Sequence, residues 1–391
     1  MTSTPSATEL TPASSVVRTA TGQPLAVLDY LRGLAALGVA CYHVRETLWV
    51  GWREITTHPE RYSGAERVAA WFSVPLPFMG SLVMLFFVIS GFCIHWPQAD
   101  TSRGLSGKAY ACRRFFRIYP PYLAAVGISF LTSVVLQHGD TVRLALASAT
   151  MVQNYPGTGV GGGGAVQLST NWSLWSLPVE MELYIVYPVL LIALRRWSAG
   201  GVLAVTVLVS VVASLLVAGG VTWLRLSFAP FLAIWFGGAW LAGRWRNGII
   251  AGPPGWFGVV ACGGFAVACG MEVAQPGRAW THLGHGGFYF WAVWLLLAHP
   301  AWWRGVSSRT SAVLGWLGSR SYSLYLVHFP LFYLLGAGWV ARFGERPHHF
   351  AVPLLAVIFI LPVVEIFYRC IERPSHALAK RAAAAWSASP S

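Results

Sequence analysis

The chain has 391 residues, of which 55% are hydrophobic and only 10% are charged, and its net charge is +13. Soluble domains carry roughly 25% charged residues, so this composition excludes an ordinary water-facing surface. Much of the chain must face lipid instead, and we predict a polytopic integral membrane protein in contact with the bilayer. Basic residues collect on the inner loops of such proteins. Nucleic acid is not expected as a partner, because the sequence offers no soluble basic domain to hold it.

The N-terminal and C-terminal stretches differ in composition from the rest. Residues 1–24 are rich in Ser, Thr, Ala and Pro. We expect a disordered cytoplasmic tail there rather than a signal peptide, because a charged start, an apolar run and a cleavage site are lacking. The stretch from about Ala382 to Ser391 is similar. A transmembrane domain is expected at 25–374, followed by a cytoplasmic C-terminal tail at 375–391.

The predicted fold is an all-α transmembrane bundle of about ten spans, with both termini cytoplasmic. This orientation places most Lys and Arg side chains on the inner side. An inner or plasma membrane is the expected location. Each span has close to the ~20 residues that cross a bilayer. The predicted spans are residues 26–48, 77–97, 117–137, 175–195, 201–219, 226–243, 255–271, 286–303, 311–336 and 350–371.

Two shorter stretches are predicted not to span. Residues 142–155 are typical of an amphipathic or re-entrant piece. The run from Gly157 to Gly164 lacks the Gly-Lys-Ser/Thr ending of a phosphate-binding loop. We therefore expect a flexible outer loop there.

Asp29, Arg32 and His43 lie within the first predicted span. Such side chains are costly at membrane depth and are function candidates by default. Arg32 and His43 are eleven residues apart, which is within ~20° of three full turns, so we expect both on one helix face about 16 Å apart. Asp29 precedes Arg32 by three residues and can pair with it. An anchoring ion pair for Arg32 and an interhelical hydrogen bond for His43 remain alternatives.

The third and fourth spans begin with further charged residues. Arg114 and Arg117 share a helix face at a cytoplasmic N-terminus, where they could hold phosphate groups. Ordinary positive-inside charge is the alternative. Glu180 and Glu182 are about 200° apart on a helix, so they should face opposite ways. One is expected to face the bundle interior.

Other residues are expected to serve packing. Ser90 and Gly91 form a small patch that suits close helix approach. His328 lies in an aromatic helix, where packing is the favoured interpretation. The six cysteines include no CxxC pair. The sequence therefore indicates neither a metal site nor a disulfide framework.

Six stretches, taken together and in order, resemble the acyltransferase family 3 membrane proteins, which include bacterial O-acetyltransferases of surface polysaccharides and macrolide acyltransferases. They are LDYLRGLAALGVACYH, FFVISGF, RRFFRIYP, WSLPVEMELY, SYSLYLVH and IERP. The resemblance runs from about Leu28 to Pro374. It implies transfer of an acyl group, acetyl by family habit, from acyl-CoA to a hydroxyl of a glycan, a lipid-linked sugar or a metabolite. Unlike in some members, we expect no SGNH-type hydrolase domain after the membrane part.

The resemblance also implies site residues. His43 and Arg32 match the Arg-x10-His motif of the family, Arg114 and Arg117 match its Arg-x-x-Arg motif at the acyl-CoA end, and Glu180 matches the Glu of its WSLxxE pattern. We expect His43 to act as general base, Arg32 to orient the site or stabilise charge, and Glu180 to orient a partner or the acceptor. A covalent acyl-His43 intermediate stays open. Acyl-CoA, by family habit acetyl-CoA, is expected as a co-substrate, with no permanently bound cofactor and no metal.

Two other classes remain as alternatives. A transporter or flippase of a glycan, lipid or organic acid would also carry charges within the membrane, although no pair of matching broken helices is evident. A haem-binding electron carrier could use His43 and His328.

Overall fold

The computed structural model describes residues 24–99, 106–155, 167–248, 250–274 and 280–387. Within these ranges the chain forms helices joined by short turns, and no strand occurs. The all-α prediction is therefore confirmed. The predicted N-terminal tail up to residue 23 and the Gly157–Gly164 run lie outside the described residues.

The described residues form sixteen α-helices, named here in chain order. The first eight are α1 Pro24–Leu48, α2 Trp52–Thr57, α3 Gly64–Phe72, α4 Leu82–His95, α5 Gly107–Val135, α6 Val142–Ala149, α7 Ser176–Arg196 and α8 Ala199–Ala218. The others are α9 Leu232–Arg246, α10 Gly255–Ala274, α11 Thr281–Ala298, α12 Ala301–Arg304, α13 Ser308–Phe343, α14 Ala351–Phe359, α15 Leu361–Phe367 and α16 Arg373–Ser387.

Each of the ten predicted spans overlaps one of these helices or a continuous run of them. Seven helical runs in the described residues are long and apolar enough to cross a membrane. They are Gly64–Gln98, Gly107–Val135, Trp172–Arg196, Ala199–Ala218, Gly255–Ala274, Ser308–Phe343 and Ala351–Trp386. The prediction of a polytopic membrane protein is confirmed, while the number of ten spans and the cytoplasmic termini stay predictions.

Helix α6 is a short piece within the region expected to be amphipathic or re-entrant. The expectation of disorder from about Ala382 is wrong for residues 382–387, which belong to α16. Helix α16 packs along α5. Ala379 and Ala383 are both buried, and a spacing of four residues puts them on one face. A row of small side chains thus supplies a packing surface that composition alone does not reveal.

The bundle is held by long helix pairs, chiefly α1 with α13 and α4 with α9. A Cβ at Gly91 would overlap the carbonyl of Trp235, and one at Gly238 would overlap the carbonyl of Val88. The backbones of α4 and α9 therefore touch, as the small residues predict. Helices α8 and α10 leave most of their apolar side chains exposed, which suits a lipid-facing position.

Candidate active site

Two cavities lie along α1, one beside its first half and one beside its second half. The inner cavity, on the predicted cytoplasmic side, has a volume of about 240 Å³. Its polar lining comes from six helices, α16 included, and from the segment between α15 and α16. It comprises Arg32, Ser90, Arg114, Arg117, Ser176, Glu180, Tyr184, Ser319, Ser321, Tyr322, Tyr325, Tyr368, Glu372 and His376.

Glu180 is the centre of a hydrogen-bonded group in the inner cavity. Its Oε1 accepts a hydrogen bond of 2.7 Å from Ser90 and a short one from the hydroxyl of Tyr184, one helical turn further along α7. The indole of Trp235 donates to the Ser90 hydroxyl at 3.2 Å. Since each partner is fixed by packing between helices, the carboxylate is held in one orientation.

Positive charge in the inner cavity is only partly compensated. Arg32 donates to Asp29 at 3.0 Å, which confirms the predicted pairing, and to Cys93 Sγ at 3.4 Å. No carboxylate in the described residues lies within ion-pair distance of Arg114 or Arg117. The Nε of Arg114 is buried and finds no hydrogen-bond partner in that part of the chain. A cavity with unpaired guanidinium groups suits an anionic ligand.

The outer cavity is larger, with a volume of about 980 Å³. His43 lines it from α1, and its imidazole is 11% exposed. The Nδ1 of His43 lies 3.3 Å from Oε2 of Glu46, one turn further along the helix. The rings of Phe329 and His328 lie 4.3 Å and 5.2 Å from the His43 ring, measured between centroids. The imidazole is thus fixed against α13 while one edge borders the cavity.

Aromatic and polar side chains share the wall of the outer cavity. The aromatic ones are Tyr42, Trp172, Trp175, Trp223, Tyr325, Phe329 and Tyr333, and the polar ones include Glu46, Asn154, Gln167, Arg225 and Glu272. This mixture combines flat apolar faces with donors and acceptors. It fits a ligand that itself carries both apolar faces and hydroxyl groups.

Tyr325 and Val83 line both cavities. The Tyr325 hydroxyl donates to the carbonyl of Ser173 at 2.7 Å and hydrogen-bonds the Ser176 hydroxyl at 2.7 Å. Phe86 packs edge-on against the Tyr325 ring, with centroids 5.5 Å apart. A thin wall of side chains therefore stands between the arginine cluster and His43.

Residues 25–367 match a protein family whose description is "Acyltransferase domain". The chain belongs to acyltransferase family 3. This membership confirms the resemblance carried by the six sequence stretches, and it supports the prediction of an acyltransferase. The matched region contains His43, Arg32, Glu180, Arg114 and Arg117.

Curated relatives of this acyltransferase family 3 member are distant. A Staphylococcus aureus (strain COL) protein with the name "Putative O-acetyltransferase SACOL0978" is 24% identical over 89% of this chain and 56% of its own length. Acyltransferase MdmB of Streptomyces mycarofaciens is 26% identical over 82% of this chain and 79% of its own. The chain thus spans just over half the length of the staphylococcal relative. No solved structure gave a significant match.

The five predicted site residues of this family member fall into two groups. Arg32, Arg114, Arg117 and Glu180 line the inner cavity, whereas His43 lines the outer one. Eleven residues along α1 separate Arg32 from His43, and Glu180 lies with Arg32 in the inner cavity.

Sequence reasoning missed several residues of these cavities. Tyr184 follows Glu180 by four positions and Glu46 follows His43 by three, so helical spacing could have paired both. Glu372 lies in the IERP stretch and accepts from the backbone N of Ser323 at 3.0 Å. No spacing rule identifies that contact, because it joins residues 49 positions apart. Glu180 and Glu182 face opposite ways, as predicted. Glu180 lines the inner cavity, whereas Glu182 accepts a hydrogen bond of 2.7 Å from the hydroxyl of Tyr155, away from that cavity.

Proposed function

We propose that this protein is a membrane-embedded O-acyltransferase that moves an acyl group, acetyl by family resemblance, from acyl-CoA to a hydroxyl of a carbohydrate or small-molecule acceptor. The donor occupies the inner cavity and the acceptor the outer one. The single observation that carries the proposal is the shared wall: Tyr325 and Val83 border both the arginine cavity and the His43 cavity.

The arginines support the donor side. CoA carries several phosphates, and an Arg guanidinium binds phosphate through two parallel hydrogen bonds. Arg114 and Arg117 lie at the inner end of α5 and face the cavity without a carboxylate partner in the described residues. They hold the nucleotide end, and the pantetheine arm extends past Glu180 towards the shared wall.

His43 supports the chemistry. A hydroxyl is a weak nucleophile at neutral pH, and a positioned imidazole can take its proton during attack. With Nδ1 protonated and donating to Glu46, Nε2 is the basic nitrogen. The acceptor oxygen bonds to the thioester carbonyl carbon, its proton moves to His43, the carbon–sulfur bond breaks, and CoA leaves as a thiolate that recovers the proton from His43. Direct transfer needs no covalent acyl-enzyme.

Arg32 and Glu180 act on the donor in this proposal. Both lie in the inner cavity, and Arg32 keeps only Asp29 as its acidic partner among the described residues. We assign Arg32 to the negative charge of CoA, since the uncharged thioester must reach His43 in the other cavity. We assign Glu180, together with Ser90 and Tyr184, to orienting the pantetheine amides, which need hydrogen-bond acceptors and donors.

The aromatic wall of the outer cavity supports a sugar-like acceptor, because the apolar faces of sugar rings pack on aromatic side chains while amide and carboxylate groups bind the hydroxyls. A location in the bacterial inner or plasma membrane completes the proposal, with cytosolic acyl-CoA as the donor.

The decisive experiment uses purified protein in detergent with radiolabelled acetyl-CoA and an extract of membranes or culture medium. Label should appear in an organic product, to be identified by mass, and an equal amount of CoA should be released. Detergent removes the two compartments that a transporter needs. Absence of acceptor-dependent CoA release with every extract would overturn the acyltransferase proposal.

A further inference from the structure

A cluster of two histidines and one glutamate lies apart from both cavities' linings. Oε1 of Glu66 in α3 lies 2.6 Å from Nδ1 of His348 and 2.9 Å from Nδ1 of His349. The three ligand atoms lie within 4.8 Å of one another. The Glu66 side chain is 7% exposed, while His348 and His349 are 39% and 67% exposed. One buried carboxylate thus meets two imidazoles that reach it from the surface.

The orientation of the Glu66 carboxylate is fixed by hydrogen bonds at the start of α3. Ser63 and Glu66 form a capping box at the start of α3, in which the Ser63 N–H donates to Oε2 of Glu66 at 2.7 Å. That bond occupies one carboxylate oxygen and leaves Oε1 directed at the histidines. The carboxylate therefore has a single orientation, which is what a metal ligand needs.

The histidine loop is fixed as well. Trp49 donates through its indole to the carbonyl of His348 at 3.0 Å, and Val50 N–H donates to the carbonyl of Pro347 at 3.3 Å. Trp49, Ile55 and Phe350 belong to a small apolar cluster beneath the site. The two chain segments that carry the three side chains are thus held against each other independently of those side chains.

The chemistry of the three groups favours a cation. Neutral imidazole nitrogens and a carboxylate oxygen are the ligand set of zinc and related divalent ions, and three protein ligands leave one position for water. The Nδ1 atoms of both imidazoles already lie within 3 Å of Oε1 of Glu66, so the three ligand atoms are grouped as a metal site requires. We propose that Glu66, His348 and His349 bind one divalent ion of the zinc class, with water as the fourth ligand.

The ion would join the segment between α1 and α4 to the loop after α13. That loop also reaches the end of α1, since Arg346 donates to the carbonyl of Glu46 at 3.2 Å. Glu46 itself lines the outer cavity beside His43. Bound metal would therefore stiffen the rim of that cavity, a structural role that does not depend on the reaction proposed above.

The test is Zn²⁺ binding by the full-length protein in detergent, after removal of metal with a chelator. Competition with a chromophoric zinc chelator should give about one Zn²⁺ per chain for the wild type. His348→Ala together with His349→Ala should weaken binding at least 100-fold, because two of three protein ligands are lost. His58→Ala is the matched control: the His58 side chain is 40% exposed and lies 3.6 Å from Glu60 in the same segment between α1 and α4, and its removal should leave binding unchanged.

Two further readouts separate a metal site from a simple hydrogen-bonded cluster. Co²⁺ bound to the wild type should show the visible absorption of a four-coordinate ion, and the double variant should not. Zn²⁺ should raise the thermal midpoint of the wild type but not that of the double variant. Equal Zn²⁺ affinity in wild type and double variant, or no binding by the folded wild type, would overturn the proposal whatever the outcome of the acyl-transfer assay.

Discussion

Arg32 and His43 project from one helix into two different cavities. Arg32 lies in the inner cavity, paired with Asp29, and His43 lies in the outer cavity beside Glu46. Eleven residues of α-helix separate them by about 16 Å along the axis. Any reaction that uses both must therefore extend across the wall formed by Tyr325 and Val83, and a long, flexible donor such as acyl-CoA can do so.

His43→Ala should lower the kcat for acyl transfer by about 10²–10⁴-fold, because the general base is removed. Glu46→Gln should cost less, since it changes only the partner that orients the imidazole. Both rates are measured as acceptor-dependent CoA release in detergent. His58→Ala serves as the control and should keep full activity. A His43→Ala protein with wild-type kcat would remove the imidazole from the mechanism.

Arg117→Ala should raise the KM for acyl-CoA by roughly 10- to 100-fold, because a hydrogen bond to a charged group contributes ~1.5–3 kcal/mol. Its kcat at saturating donor should change little. Arg113→Ala is the matched control, since Arg113 is exposed on the same helix and does not line the cavity. An unchanged KM in Arg117→Ala would contradict the assignment of Arg117 to the donor.

Tyr325→Ala should join the two cavities and let water reach the thioester. Acyl-CoA hydrolysis without acceptor should then rise about tenfold, which corresponds to ~1.4 kcal/mol of barrier. Tyr325→Phe retains the ring and should hydrolyse as slowly as the wild type. The measurement is free CoA over time without acceptor. If hydrolysis by Tyr325→Ala stays at the wild-type level, Tyr325 is not the barrier between the cavities.

Gly91→Ala should destabilise the protein by at least ~1–3 kcal/mol, the usual cost of overpacking, because the new Cβ would overlap the carbonyl of Trp235. Gly127→Ala is the control within α5, where an added Cβ meets nothing within 4 Å; it should be neutral or slightly stabilising. Thermal unfolding in detergent measures both. Equal midpoints for the two variants would show that α4 and α9 can separate at little cost.

Much of the fold follows from the sequence because every helix that crosses a bilayer needs an apolar run of about 20 residues. Apolar runs of sufficient length predict the helices, and each of the ten predicted runs overlaps a helix or helical run in the described residues. Helix pairing is harder to predict. The partnership of α5 with α16 depends on Ala379 and Ala383, whose small side chains carry no hydropathy signal for an interface.

Parts of the candidate site were predictable from local spacing, such as the pairing of Asp29 with Arg32 and the divergence of Glu180 from Glu182. The division into two cavities was not, because it depends on where the Tyr325 side chain of a distant helix crosses the interior. The His348–Glu66 contact joins residues 282 positions apart. A search for CxxC pairs could not find it, and the expectation of no metal followed from that search.

The pairing of α1 with α13 also has a consequence for biogenesis. Roughly 260 residues must be synthesised between the end of α1 and the start of α13, which at 5–20 residues per second takes about 13–52 s. During that time α1 lacks its main packing partner, since its Gly33 later lies against the backbone of Gly318 in α13. Most of the polypeptide will have been synthesised before α1 and α13 can pack together. Mutations in the interface between α1 and α13 should therefore have the largest effect on misassembly and on degradation by membrane quality control.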